Sequence, residues 1–167
     1  MKKLLGLILT ACLILGLLGC NHNQDDINEP VHFYYKNPSV TYNDEHAVII
    51  YEIRDRADFE DDLETILNIY LQGPLTDAYL NPFPAGIIVN TVEMSEDTVC
   101  VTLSEELLKV EGMEQTIACA CLAKTAMELT ECSSILITVP SGVKDGFSIT
   151  MDAQSLLLLD NAHPDAE

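Results

Sequence analysis

The chain has no tryptophan and little positive charge. Its 8 Lys and Arg stand against 27 Asp and Glu, a formal net charge of −19 over 167 residues. Nucleic-acid binding needs clustered Lys and Arg to neutralise phosphates, so no nucleic-acid partner is expected. The same deficit repels anionic lipid headgroups and excludes attachment to a membrane through basic residues. No CxxC pair occurs, so neither zinc nor another metal is expected. The chain has no G-x-S-x-G elbow and no Walker or dinucleotide glycine pattern. Carboxylates are so abundant that no one pair of them stands out as an acid and base. No cofactor and no enzymatic activity are expected from these residues.

A long hydrophobic run is also missing. The apolar stretch Leu4 to Leu18, broken by Gly6, Thr10 and Gly16, falls short of the roughly 20 residues that span a bilayer. Behind Lys2-Lys3 it has the form of the h-region of a secretory signal. Leu17-Leu18-Gly19-Cys20 resembles a bacterial lipobox. That resemblance implies cleavage between Gly19 and Cys20 and a diacylglyceryl group on the Cys20 thiol. Two acyl chains suffice for stable attachment where one holds marginally. The expected location is therefore the outer face of the cytoplasmic membrane, reached by export. Loss of Lys2 and Lys3 would take the net charge to −21.

Residues 21–30, NHNQDDINEP, show no hydrophobic periodicity and read as a flexible tether reaching at most ~35 Å. The expected organisation is a signal peptide over 1–19, a lipidated cysteine and tether over 20–30, a folded domain over 31–142, and a strand extension with an acidic tail over 143–167.

Within the domain, VHFYYK (31–36) and AVIIYEIRD (47–55) read as strands and plausible hairpin partners. In the second, alternation sets Val48, Ile50 and Glu52 against Ile49, Tyr51 and Ile53. A helix follows, with Asp58 as expected N-cap and Asp61 in the capping-box place. Its apolar stripe is Phe59, Leu63, Ile66, Leu67 and Tyr70, and Gly73-Pro74 stop it. The acidic residues Asp58, Glu60, Asp61, Asp62 and Glu64 suit the first turn's dipole better than a metal.

A loop with Phe83, Pro84 and Gly86 leads to a second hairpin, 87–94 and 98–103. Ser104 is the expected cap of a short helical turn. A longer helix spans about Glu114 to Thr130, with Ile117, Cys121, Leu122, Thr125 and Leu129 on one face. SILITV (134–139) is a strand, and FSITMD (147–152) a weaker one. Cys119 and Cys121 lie two apart on the helix and point in different directions. They and Cys132 read as small buried hydrophobes, with a Cys100–Cys132 bridge neither required nor excluded. His22, His32, His46 and His163 have no Cys or Glu at ligand spacing.

The expected fold is α+β: a two-layer sandwich in which two helices cover a mixed or antiparallel sheet of about five strands, in the order β-β-α-β-β-α-β.

Three stretches together, YLQGPL (70–75), NPFPAGIIVNTVEMSEDTVCVTLSEELL (81–108) and CLAKTAMELTECSSILITVPSG (121–142), resemble the GerMN domain of sporulation and spore-germination lipoproteins. Leu71 to Pro74 stand for its helix-ending L-x-x-G-P. Pro84 and Gly86 stand for its loop, Val101-Thr102-Leu103-Ser104 for its hairpin end, and Ile135 to Gly142 for its last strand and turn. The residues that carry the motif, Gly73, Pro74, Gly86, Ser104 and Gly142, all have structural roles. The resemblance implies a protein-binding module with no catalytic residues, whose partner is another envelope protein. The alternatives are a receptor for a small molecule or germinant, which needs a deep apolar pocket, and an envelope hydrolase, which needs a catalytic constellation that the sequence does not display.

Overall fold

The computed structural model describes residues 27–39, 47–59, 62–140 and 146–160. Gly19, Cys20 and Gly142 lie outside these residues, as do the lipobox, most of the tether and Asp61. Strands β1 (Pro30–Lys36) and β2 (Ile49–Asp55) form a two-stranded antiparallel sheet. A 3₁₀ turn, Arg56–Asp58, leads to helix α1 (Leu63–Leu71). Strands β3 (Val89–Ser95) and β4 (Thr98–Leu103), helix α2 (Gly112–Thr130), and strands β5 (Ser134–Val139) and β6 (Phe147–Asp152) follow, then helix α3 (Ala153–Asp160).

The second sheet has the order β3-β4-β5-β6. Its outer pairs are antiparallel, and β4 pairs with β5 in parallel. A parallel pair needs a crossover, which the 3₁₀ turn Glu105–Lys109 and α2 supply. The α+β class and the helices laid on a sheet are as the sequence implies. The strands, however, divide between two sheets, the weak 147–152 segment becomes the edge strand β6, and a third helix follows it.

Helix α2 explains the division. Every residue from Ile117 to Ala123 is buried, and so are Thr125 and Ala126. A helix that faces one sheet buries a stripe, whereas one that is apolar all round is packed on several sides. Here α2 packs against β1 and also against β4, β5 and β6. Successive residues turn by about 100°, so Cys119 and Cys121 reach different surroundings and both are buried. The alanines at 118, 120, 123 and 126 let the neighbouring layers approach.

The cap of α1 is Asp62, not Asp58. Its carboxylate accepts from the Thr65 N–H at 3.0 Å and from Thr65 Oγ1 at 2.6 Å. Asp58 instead ends the preceding 3₁₀ turn, which Asp55 caps by accepting from the Ala57 N–H. A run of aspartates offers several acceptors, and helical spacing alone does not choose between them.

Candidate functional site

The β1–β2 hairpin is the part of the domain in which polar, aromatic and exposed apolar groups converge. Its inner face carries Phe33 and Tyr35 from β1 and Glu52 and Arg54 from β2, all buried. Arg54 donates to Glu52 Oε2 from Nε at 2.9 Å and from Nη2 at 2.7 Å. Nη2 also donates to the Tyr35 hydroxyl and to the Gly73 carbonyl, each at 3.1 Å. Glu52 Oε1 accepts from the Leu75 N–H at 3.0 Å. The guanidinium lies 4.6 Å from the centre of the Phe33 ring. This buried pair therefore clamps the Gly73-Pro74-Leu75 turn onto the hairpin. Burial pushes the Tyr35 hydroxyl above its ordinary pKa, partly opposed by Arg54, so it stays protonated and donates to the Tyr70 carbonyl.

The outer edge of β1 is sealed by the helices and by the loop at Leu80. The His32 N–H donates to Glu128 Oε1 at 3.1 Å, and the Tyr34 N–H to Thr125 Oγ1 at 3.0 Å. The Tyr70 hydroxyl, its pKa raised well above the usual value by burial, donates to the Tyr34 carbonyl at 2.6 Å. Lys36 exchanges two backbone bonds with Leu80, and its ammonium pairs with Glu114 at 2.7 Å. Glu128 also holds His32 Nδ1 at 2.5 Å and the Tyr34 hydroxyl at 3.0 Å.

The outer face of the hairpin carries His32, Tyr34, Tyr51 and Ile53. Tyr51 and Ile53 are 48% and 46% exposed, although the charged residues beside them on the strand are buried. The rings of His32 and Tyr51 meet edge to face at 4.4 Å, and Tyr34 lies 5.8 Å from Tyr51. Lys124 Nζ sits 5.1 Å from the Tyr34 ring centre. Two grooves flank this face. One, of about 410 Å³, is lined by Tyr34, Lys124, Glu128, Glu131 and Leu156. The other, of about 530 Å³, lies at the end of β2 and is lined by Ile27, Ile53, Phe59 and Leu75 together with Asp55 and Asp58.

The motif residues lie away from this face. Gly73 has φ +112°, and a Cβ there would meet Asn81 Nδ2 at 2.9 Å. Gly86 turns with φ +83° in open space. Ser104 precedes the 3₁₀ turn Glu105–Lys109 without a side-chain cap bond. Its Oγ instead accepts from the Ile88 N–H at 3.0 Å, and its own N–H donates to the Ile88 carbonyl. It ties the loop before β3 to the end of β4. Cys100, Cys119, Cys121 and Cys132 are free thiols. Burial raises the Cys119 thiol to about 12 and pushes Cys121 higher still. Among the described residues no group of three His, Cys, Asp or Glu could hold a metal ion, and no helix is long and apolar enough to cross a membrane.

Sequence spacing could not have found the His32–Glu128 pair, which joins positions 96 residues apart. Nor could it show that Glu52 and Arg54 face inward. The one available signal was their alternation with apolar residues on a short strand.

A family model described as Germane, sporulation and spore germination, matches residues 32–140. Comparison with curated proteins and with solved structures gives no significant match.

Proposed function

Because the chain belongs to the Germane family of sporulation and spore germination, we propose that it is an envelope lipoprotein whose single GerMN-like domain binds another envelope protein in one of these processes. In this reading a diacylglyceryl group on Cys20 holds it at the outer face of the cytoplasmic membrane. Residues 21–30 then let the domain stand off by up to ~35 Å. The role is binding rather than catalysis.

One observation carries the binding part of this reading. Tyr51 and Ile53 are held out to solvent on a hairpin whose inner face and other edge are locked by buried hydrogen bonds. Aromatic and apolar side chains presented on a rigid element suit a protein partner, because little side-chain entropy remains to be lost on binding. The test has two arms. Labelled palmitate should appear on the wild-type chain and not on Cys20→Ala, which should leave the membrane fraction. Deletion should alter spore yield or germination rate. A deletion strain normal in both would remove the sporulation role, and an unlabelled wild type would remove the anchor.

A second reading, a receptor for a small molecule, draws on the grooves of about 410 and 530 Å³, which fall in the usual size range of ligand sites. A thermal-shift screen with germinant-sized amino acids and sugars separates the two readings.

A further inference from the structure

The two edges of the hairpin are treated differently. The Asn37 N–H donates to the Val48 carbonyl at 2.9 Å and the Arg56 N–H to the Glu29 carbonyl at 2.8 Å, which fixes the phase of the ladder. In an antiparallel pair hydrogen-bonded and non-hydrogen-bonded positions alternate. The even residues of β2 therefore bond to β1, and the odd residues, Tyr51 and Ile53, aim N–H and C=O away from it. The mirror positions on β1 are His32, Tyr34 and Lys36, and their N–H groups are taken by Glu128, Thr125 and Leu80. The N–H groups of Tyr51 and Ile53 have no partner among the described residues.

Exposed strand edges are usually blunted by Lys, Pro or a bulge. The edge strand β3 follows that rule, with a bulge between Val89 and Thr91 and an exposed Glu93. β2 does not: it is regular over Ile49–Asp55 and exposes Tyr51 and Ile53. The groove of about 530 Å³ lies at the Asp55 end of this same edge, where Ile53 from the outer face and Arg54 from the inner face both line it. Ile27, Ile53, Phe59, Ile69 and Leu75 line it together with Asp55 and Asp58. The cation that lines it, Arg54, is already committed to Glu52. The Asp55 carboxylate accepts from the Asn28, Glu29 and Ala57 N–H groups, so the exposed Asp58 is the main charge offered to a partner.

We propose that the edge of β2, unpaired among the described residues, accepts an extended segment of a partner protein as an added strand, with an apolar side chain in the groove and Lys or Arg facing Asp58 beside Asp55. Strand addition draws affinity from main-chain bonds and specificity from alternate side-chain pockets. Charge selects the occupant. A second copy would bring another −19 chain to the same place, whereas a basic segment is attracted by the net charge and by the aspartates that line the groove. The inference rests on the envelope-partner reading and names its surface.

The test places the photocrosslinker benzoylphenylalanine at position 51, 53 or 94 of the full chain in its producing cells. Position 94, an exposed methionine on β3, is the control. The expected result is an adduct with one other protein from 51 and 53 but not from 94, through a segment of alternating apolar and basic residues. With the crosslinker at 53, Tyr51→Pro should abolish the adduct, because it removes an N–H that the ladder to β1 does not use. Should circular dichroism show Tyr51→Pro misfolded, the exposed Asp58→Lys reads the same contact and should also lose the adduct. An adduct with a second copy or with the chain's own N-terminal segment overturns the proposal, as does one that survives the folded variants. An adduct from 94 alone overturns this surface and leaves the binding reading standing. No adduct from any position removes both.

Discussion

Glu52 and Arg54 are two residues apart on β2, face the interior together, and are joined by two hydrogen bonds of 2.9 and 2.7 Å to one carboxylate oxygen. They are 6% and 7% exposed. A buried pair of this kind is hard to remove by halves, because the surviving charge is left with little water and no counter-charge.

Glu52→Ala should therefore destabilise the domain by about 3–5 kcal/mol in urea unfolding. It strands the Arg54 guanidinium and frees the Leu75 N–H. The double variant Glu52→Leu with Arg54→Met should recover part of that loss. The Leu75 N–H, on an exposed residue, then turns to water. A double variant no more stable than Glu52→Ala would show that the stranded Arg54 charge is not the source of the loss.

Thr125 is fully buried, and its hydroxyl accepts the Tyr34 N–H. Thr125→Val keeps the shape and leaves that N–H unsatisfied, with an expected loss of about 1–3 kcal/mol. Thr125→Ser should retain most of the stability. Amide exchange at Tyr34 is the local readout, and it should accelerate only in the valine variant.

Gly73 and Gly86 both have positive φ, but their surroundings differ. Gly86→Ala meets open space and should cost about 1–2 kcal/mol for the left-handed backbone. Gly73→Ala should cost more, since its Cβ would displace Asn81, which donates to the Leu71 carbonyl and accepts from the Phe83 N–H. Unfolding midpoints of the two variants rank them.

Asp97 joins the β3–β4 turn to the start of β5. Hydrogen bonds from the Ser133 hydroxyl and N–H hold its carboxyl below the ordinary aspartate value. The native state thus binds that proton less readily than the unfolded chain does. The resulting stability is present above the ordinary carboxylate value and is lost as the pH falls through the lowered native one. Asp97→Asn should flatten the acid limb of the stability–pH curve relative to wild type and leave its neutral limb parallel. An unchanged acid limb would contradict this account.

The four described thiols should react in order of exposure. Cys100 is partly exposed, while Cys119 and Cys121 are buried and held protonated well above neutral pH. Iodoacetamide at pH 8 should label Cys100 first and reach Cys119 and Cys121 only when denaturant is added. Peptide mass mapping over time checks the order.

Much of the fold is legible in the sequence because its signals are local. SILITV and TVCVTL form strands with the bounds that their composition implies. The capping of α1 was less legible, since Asp55, Asp58 and Asp62 are chemically equivalent and only chain geometry assigns them. The surroundings of α2 were not legible either. Its small residues are compatible with one neighbouring layer or with several, and the choice depends on where the distant β1 lands. The hairpin surface was hidden for the same reason: alternation along β2 divides its residues into two sets without saying which turns inward.

The sequence alone determined the acidity, the short apolar stretch before Cys20, the α+β pattern and the motif residues, all of which depend on residue type and near spacing. The tertiary structure decided that Glu52 and Arg54 are buried, that Tyr51 and Ile53 are exposed, and that the edge of β1 is sealed while that of β2 is unpaired among the described residues. Those outcomes depend on groups far apart in the chain. Thr125 and Glu128 satisfy the edge of β1, 91 to 96 residues away, and a hydrogen bond of that range leaves no local mark on the residues that form it.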